Sequence, residues 1–202
     1  VSDLVGRAVA ALRAGELVIV PTDTVYGLAA SAFGEEPARR LYRLKGRDEI
    51  QPTALVCASV DRLLECVPEL RGGPATIART LLPGPFTLVL PNPARRFGWL
   101  NRDRPDTIGV RVPALAGPAG DVLDQVGAIV ATSANLPGGP DPCTVADVPQ
   151  SLRDGVVAVI DGGRLPGLPS TVLDFSGAEP VVLRRGAGDV DEALARVDAE
   201  TR

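Results

Sequence analysis

The sequence predicts an α/β fold: a single domain over residues 1–202, with a twisted mixed sheet and flanking helices. Three observations predict it. Short apolar runs bounded by proline, glycine or polar turns alternate with segments whose apolar residues recur at helical spacing. Gly177 separates the last two runs closely enough for a hairpin, which makes the sheet mixed rather than all parallel. No internal repeat and no linker interrupts the chain, and its length suits one domain.

The elements follow in order. Leu4, Val5, Ala8, Val9 and Leu12 form one helical face, which Gly15 ends. Leu17–Val20, closed by Pro21, reads as a buried strand. Pro37 starts a helix after Glu35 and Glu36, with Leu41 and Leu44 on one side. Thr53–Cys57 is a strand, and Ser59 caps the helix carrying Leu63 and Leu64. A helix through Ile77 and Leu81 stops at Pro83-Gly84-Pro85, and a strand follows over Phe86–Leu90. Residues 91–106, rich in proline and arginine, read as an exposed, mobile loop. Further strands are expected at Thr107–Val112, Ala128–Ala131, Val156–Ile160, Ser170–Phe175 and Val181–Arg185, and helices at Pro118–Val126, Thr144–Leu152 and Asp189–Val197.

Composition narrows the chemistry. A hydrophobic fraction of 45% supports a real core, and a net charge of −4 argues against a general nucleic-acid binder while leaving room for a local basic cleft. With no histidine, serine–histidine and cysteine–histidine catalysis and Cys/His zinc sites are excluded. Cys57, Cys66 and Cys143 lack metal-ligand spacing and read as reduced structural thiols. An aromatic content of 3% makes a base-stacking platform a poor expectation. No apolar run approaches the ~20 residues that cross a bilayer. The N-terminal stretch reads as an amphipathic helix rather than a signal peptide, so the cytoplasm is the expected compartment and no membrane partner is expected.

Several polar segments fall at strand ends, where α/β sheets place ligands. Lys45, in Lys45-Gly46-Arg47, is the one lysine among 21 basic residues. It is either a remnant of drift or a required compact ammonium beside an arginine fork, a pair that suits a phosphate chain. Pro21–Gly27 crowds hydroxyls and Asp23 into a turn, which is either a capped turn or a binding loop. Arg111 lies inside an apolar strand, as an edge residue facing water or as the partner of a buried anion. Thr132-Ser133-Ala134-Asn135, Pro169-Ser170-Thr171 and Arg184-Arg185-Gly186 close the set. No Walker A motif is present. The residues suit binding a polyanion and a small polar molecule, with catalysis by positioning and charge stabilisation.

Taken in order, PTDTVYGL (21–28), KGR (45–47), PGPFTLVL (83–90), TIGVRVP (107–113), TSAN (132–135), PSTVLD (169–174) and LRRG (183–186) resemble the YrdC/Sua5/TsaC family of threonylcarbamoyl-AMP synthases. The resemblance spans about residues 17–187. It implies a twisted α/β fold around a large, positively lined cavity. It also implies that L-threonine, bicarbonate and ATP, with Mg2+, give threonylcarbamoyl-AMP and pyrophosphate, for the N6-threonylcarbamoyl modification of tRNA adenosine. By position, the resemblance makes Thr24, Val56, Arg111, Ser133 and Ser170 threonine contacts. Lys45, Arg47, Gln51, Thr107, Asn135, Cys143 and Arg184 become ATP contacts, with Lys45 and Arg47 catalytic. Asp23 is a candidate for a place near the metal or the amine. Two departures stand out: Val56, where many members carry histidine, and Cys143, where serine or threonine is more usual. The chain ends soon after Arg184, so the family's short form is expected, with separate proteins transferring the product to tRNA. Two other readings compete: a carbamoyl-phosphate-dependent carbamoyl-adenylate-forming domain, and a non-catalytic RNA-binding module.

Overall fold

The computed structural model describes residues 2–201. Helix α1 (Ser2–Arg13) ends before Gly15, whose φ of 76° turns the chain into strand β1 (Val18–Pro21). Strand β2 (Tyr26–Ser31) follows, then helix α2 (Glu35–Lys45) and strand β3 (Ala54–Cys57). Ser59 caps helix α3 (Val60–Cys66) by accepting from the Arg62 amide, as the sequence predicts. Helix α4 (Gly73–Leu81) leads to strand β4 (Phe86–Pro91), strand β5 (Thr107–Arg111), helix α5 (Gly117–Val126) and strand β6 (Ala128–Ser133). Helix α6 (Gln150–Asp154), strand β7 (Ala158–Val159), strand β8 (Thr171–Asp174), strand β9 (Val181–Arg184) and helix α7 (Val190–Thr201) complete the described chain.

Four expectations are corrected. Strand β2 goes unmarked in the sequence: Tyr26-Gly-Leu-Ala-Ala-Ser carries small residues and no alternation, because both of its faces are covered. The helix expected over Thr144–Leu152 is split into a 3-10 turn at Val145–Asp147 and α6, with Pro149 standing between them. Residues 91–106 are not a free loop. The Asn92 side chain donates to the Arg96 and Pro105 carbonyls and accepts from the Arg96 amide, and Leu100 is buried. The strand expected over Val156–Ile160 shortens to β7.

All nine strands join one sheet in the order β7-β1-β2-β6-β3-β5-β4-β8-β9. It is mixed: β3–β5, β4–β8 and β1–β7 pair in parallel, and the other pairs are antiparallel. The β8–β9 hairpin around Gly177 is as the sequence predicts. Because side chains alternate across a strand, the register sorts residues between two faces. On one face Ile19, Leu28, Val130, Leu55, Val110, Leu88 and Leu173 form a continuous core with residues of α2, α3, α4, α6 and α7. On the other, α1 and α5 cover Val18, Val20, Ala29, Val56, Ile129 and Ala158.

The rest of that second face is built low. Ala131 pairs with Ala54, Gly109 lies against Ala54, and Val89 pairs with Gly109, so one row across four strands is made almost wholly of small residues. In the next row Val56 pairs with Arg111, Thr87 with Val172, and Val172 with Arg184. A floor of small side chains beside a row that holds two arginines, Arg111 and Arg184, leaves a concave, polar-rimmed space over the sheet. We expect the two faces to respond differently to substitution. Leu88→Ala should cost about 2–5 kcal/mol in chemical denaturation, the range for a leucine cavity in a packed core. Gly109→Ala places its Cβ 3.7 Å from the Ala54 Cα, an ordinary contact, and should change stability little.

Candidate functional site

The space over the small-residue floor is a cavity of about 360 Å³. Seven of the residues singled out from the sequence line it: Thr24, Arg47, Val56, Arg111, Ser133, Ser170 and Arg184. They come from chain segments far apart in sequence, and the sheet order brings them together. Thr132 joins them, as do Arg104 and Thr87, to which the sequence assigns no contact.

The Lys45–Arg47 segment is shaped by its glycine. Gly46 closes α2 in the left-handed region, with φ 66° and ψ 30°. The Gly46 amide donates to the Arg43 carbonyl, and the Arg47 amide donates to the Tyr42 carbonyl at 2.9 Å. This Schellman-type ending turns the chain back toward the sheet. Lys45 is only 4% exposed. Its Nζ donates to the Ser133 carbonyl at 2.5 Å and Asn135 Oδ1 at 2.8 Å, and lies 3.3 Å from both Thr132 Oγ1 and Ser133 Oγ. The lone lysine therefore pins the strand end at Thr132–Asn135 from beneath. Arg47 reaches the same segment, donating from Nη1 to Thr132 Oγ1 at 2.9 Å and from Nη2 to the Pro52 carbonyl at 2.7 Å.

A second cluster surrounds Arg111. Its Nη2 donates to Asp23 Oδ1 and, at 2.7 Å, to Thr24 Oγ1. Of the two readings of this arginine, the buried partner of an anion is the one observed, and the anion is internal. Asp23 is held in place by that ion pair, and its Oδ2 also accepts from the Ala114 amide at 3.3 Å. Thr22 Oγ1 accepts from the Thr24 and Val25 amides and donates to the Val25 carbonyl, which fixes the turn that presents Asp23 and Thr24.

A third cluster centres on Ser170. Arg184 donates from Nε and Nη2 to the Ser170 carbonyl, at 3.0 and 2.8 Å, and from Nη2 to Ser170 Oγ at 3.1 Å. Thr87 Oγ1 lies 2.8 Å from the same hydroxyl. Arg104 closes this side of the cavity, donating to Asp174 Oδ2 at 3.1 Å and to Ser176 Oγ at 2.8 Å. No motif marks Arg104 in the sequence; it is placed by the ordered 91–106 segment.

Lys45 and four other expected residues do not line the cavity. Asn135 lies behind it, under Lys45, with its amide donating to the Gly139 carbonyl. Thr107 is buried, and its hydroxyl donates to the Arg104 carbonyl and accepts from Asn101 Nδ2. It shapes the segment that carries Arg104. Gln51 is exposed in the turn after Arg47, and Cys143 packs against Gly167.

The charges are unevenly balanced. Arg111 and Arg104 each meet a carboxylate, Asp23 and Asp174. Arg47 and Arg184 meet only neutral oxygens among the described residues. Burial lowers the pKa of both, as it must for a cation without a counterion. Lys45 is lowered to about 8, chiefly by burial, further by Arg47, and against the opposing pull of Asp141. Asp141 acts at a distance and, among the described residues, forms no ion pair with Lys45 or Arg184. Such a site suits an anion of high charge. Among the described residues, no group of three or more His, Cys, Asp or Glu could hold a metal ion.

The sign for pH follows. Below pH 8 Lys45 is already an ammonium when an anion arrives; above it, binding must recruit a proton. The affinity for sulfate, a dianion throughout this range, should be flat below pH 8 and then weaken by up to about tenfold per pH unit. Titration calorimetry in buffers of different ionisation enthalpy should show proton uptake above pH 8. Affinity that stays flat to pH 9.5, about 1.5 units above the lysine's value, would contradict this.

Comparison with known proteins gives one consistent picture. The family model Sua5/YciO/YrdC, described as telomere recombination, matches residues 10–186. A threonylcarbamoyl-AMP synthase of Pyrococcus abyssi is 35% identical over 95% of this chain and 56% of its own length. A putative threonylcarbamoyl-AMP synthase of Mycobacterium tuberculosis is 34% identical over 89% of this chain and 82% of its own. The crystal structure of P. abyssi Sua5 complexed with L-threonine superposes with a TM-score of 0.84 at 33% identity, covering 98% of this chain and 58% of that one. The chain thus spans little more than half of the P. abyssi protein.

Proposed function

The chain belongs to the Sua5/YciO/YrdC family, and we propose that it acts as a threonylcarbamoyl-AMP synthase. L-Threonine, bicarbonate and ATP are its substrates in this reading; threonylcarbamoyl-AMP and pyrophosphate are its products. The reaction class is nucleotidyl transfer. One observation carries the reading: a single cavity sets arginines without counterions, Arg47 and Arg184, beside an arginine that already has one, Arg111. The first pair fits a triphosphate, and the second environment fits an amino acid. Support comes also from the relatives' names and from the L-threonine complexed with P. abyssi Sua5.

The residues then divide the work. The threonine carboxylate takes the free Nη1 of Arg111, with Thr24, Val56, Ser133 and Ser170 around the rest of the molecule. Bicarbonate breaks into CO2 and hydroxide, the hydroxide takes the ammonium proton as water, and the freed amine attacks CO2, forming the N–C bond of a carbamate as its second proton leaves to solvent. The lined cavity shields that species from water. A carbamate oxygen attacks the α-phosphorus, and the bond to the bridging oxygen of pyrophosphate breaks. Arg47 and Arg184 offset charge on the phosphates from fixed positions, since their other donors are already held by Thr132, Pro52 and Ser170. The attacking group is an anion, so the phosphoryl step requires no histidine base.

Lys45 and Asn135 act from behind, by fixing Thr132 and Ser133 and by adding positive charge beneath the phosphates. Thr107 contributes through Arg104. Gln51 and Cys143 are retained as nucleotide contacts only if the exposed turn and the 141–143 segment fold inward on the ligand. Magnesium bound with the nucleotide would supply charge neutralisation on the phosphates, beside Arg47 and Arg184. We place the protein in the cytoplasm, where its product passes to proteins that modify tRNA. None of its described helices is long and apolar enough to cross a membrane. The carbamoyl-phosphate and RNA-binding readings gain no support from the relatives' names.

Incubation with ATP, threonine and bicarbonate should release pyrophosphate only when threonine is present, and mass spectrometry should detect threonylcarbamoyl-AMP. Equal release without threonine would sink the proposal. Lys45→Arg keeps the charge but forces a broad fork into a site that is 4% exposed, where one nitrogen serves several oxygens. It should lower kcat/KM by about 10²-fold, the cost of a roughly ångström-scale misplacement. Full activity in that variant would mean that Lys45 contributes charge alone.

A further inference from the structure

The four cavity arginines fall into two electrostatic classes, and the second class is made by two carboxylates, Asp23 and Asp174. Asp23 is the sharper case. Its side chain and that of Arg111 are 12% and 11% exposed, so the pair is largely removed from water. Every polar contact of the Asp23 carboxylate is accounted for: Arg111 Nη2 and the Ala114 amide. Arg111 Nη2 is saturated by Asp23 and Thr24, whereas Nη1 has no hydrogen-bond partner among the described residues. The guanidinium therefore offers one end to the cavity while its charge is balanced at the other. Val56 lies beside Arg111 in the sheet and brings no charge of its own.

A charge-balanced donor discriminates differently from a bare one. At a bare, buried guanidinium the best ligand is the most negative one, because the cation lacks a counterion. At a neutralised guanidinium a monoanion brings an excess negative charge next to an existing carboxylate. A zwitterion brings none, and its ammonium falls within the field of that carboxylate. We infer that Asp23 is a specificity-determining, positioning residue: it balances Arg111 so that this end of the cavity selects amino-acid zwitterions and rejects simple carboxylates and phosphates. The unbalanced end at Arg47 and Arg184 is thereby left as the place for the polyanion. The inference rests on the synthase reading for the identity of the amino acid, and it adds the device that keeps the two substrates apart.

The experiment compares L-threonine with its hydroxy-acid analogue, in which a hydroxyl replaces the ammonium and the carboxylate is unchanged. Calorimetry on the unsubstituted protein should find threonine at least about tenfold tighter, the scale of one charge-assisted contact. Asp23→Asn keeps an oxygen for Arg111 Nη2, loses the charge and gives up the long contact with the Ala114 amide. In that variant the hydroxy acid should bind more tightly than it does to the unsubstituted protein, and the preference for threonine should collapse. A structural role for Asp23 predicts instead that both ligands weaken together, and that result would overturn the inference. Asp23→Glu guards against misfolding: it retains the charge and should retain the preference, and its loss there would also count against the inference. If the unsubstituted protein bound no threonine, the synthase reading itself would fall. Threonine binding with an undiminished preference in Asp23→Asn would overturn the role of Asp23 alone.

Discussion

Cations without counterions are the constraint on which this structure turns. Lys45 is buried, Arg47 half-buried and Arg184 exposed, and all three are satisfied by neutral oxygens: a carbonyl, hydroxyls and an amide of Thr132–Asn135, the Pro52 carbonyl, and Ser170. Such an arrangement costs stability, since desolvating a charge is repaid only partly by neutral dipoles. The fold tolerates it because the opposite face of the sheet is fully packed. Leu28, Leu55, Leu88 and Val110 sit on the same strands that carry the site, at 0% exposure. One face stabilises, and the other is left low, open and charged.

The register is what joins these two roles. Strands β6, β3, β5 and β4 each send alternate residues to the core and to the cavity. A slip of one residue would exchange Arg111 for Val110 and destroy both faces together. The row of Ala131, Ala54 and Gly109 makes the depth, and the neighbouring row of Val56, Arg111, Thr87, Val172 and Arg184 sets the chemistry. Substrate separation then needs no domain boundary. It needs only that carboxylates pair with Arg111 and Arg104 and that Arg47 and Arg184 keep neutral partners.

Much of this was legible in the sequence. The alternation of apolar runs with helical spacing, the terminating glycine at Gly15, the Ser59 cap and the Gly177 hairpin are local signals, and local signals survive without a structure. Arg111 stood out because a charge inside an apolar strand demands a partner. The lone lysine stood out by composition, and its position, pinning Thr132–Asn135, gives it a task that drift does not explain. What was not legible depended on long-range register. Strand β2 carries no alternation because both of its faces are covered. Arg104 enters the cavity only because Asn92 orders a segment that composition marks as a loop. Asp23 and Arg111 are 88 residues apart, and no spacing rule joins them.

The most direct test is a crystal structure with L-threonine and a non-hydrolysable ATP analogue bound together. The account predicts phosphate oxygens within hydrogen-bonding distance of Arg47 and Arg184, and the threonine carboxylate on Nη1 of Arg111 with the Asp23 ion pair intact. Phosphates seated on Arg111, or a triphosphate that leaves Arg47 and Arg184 on their neutral partners alone, would contradict it.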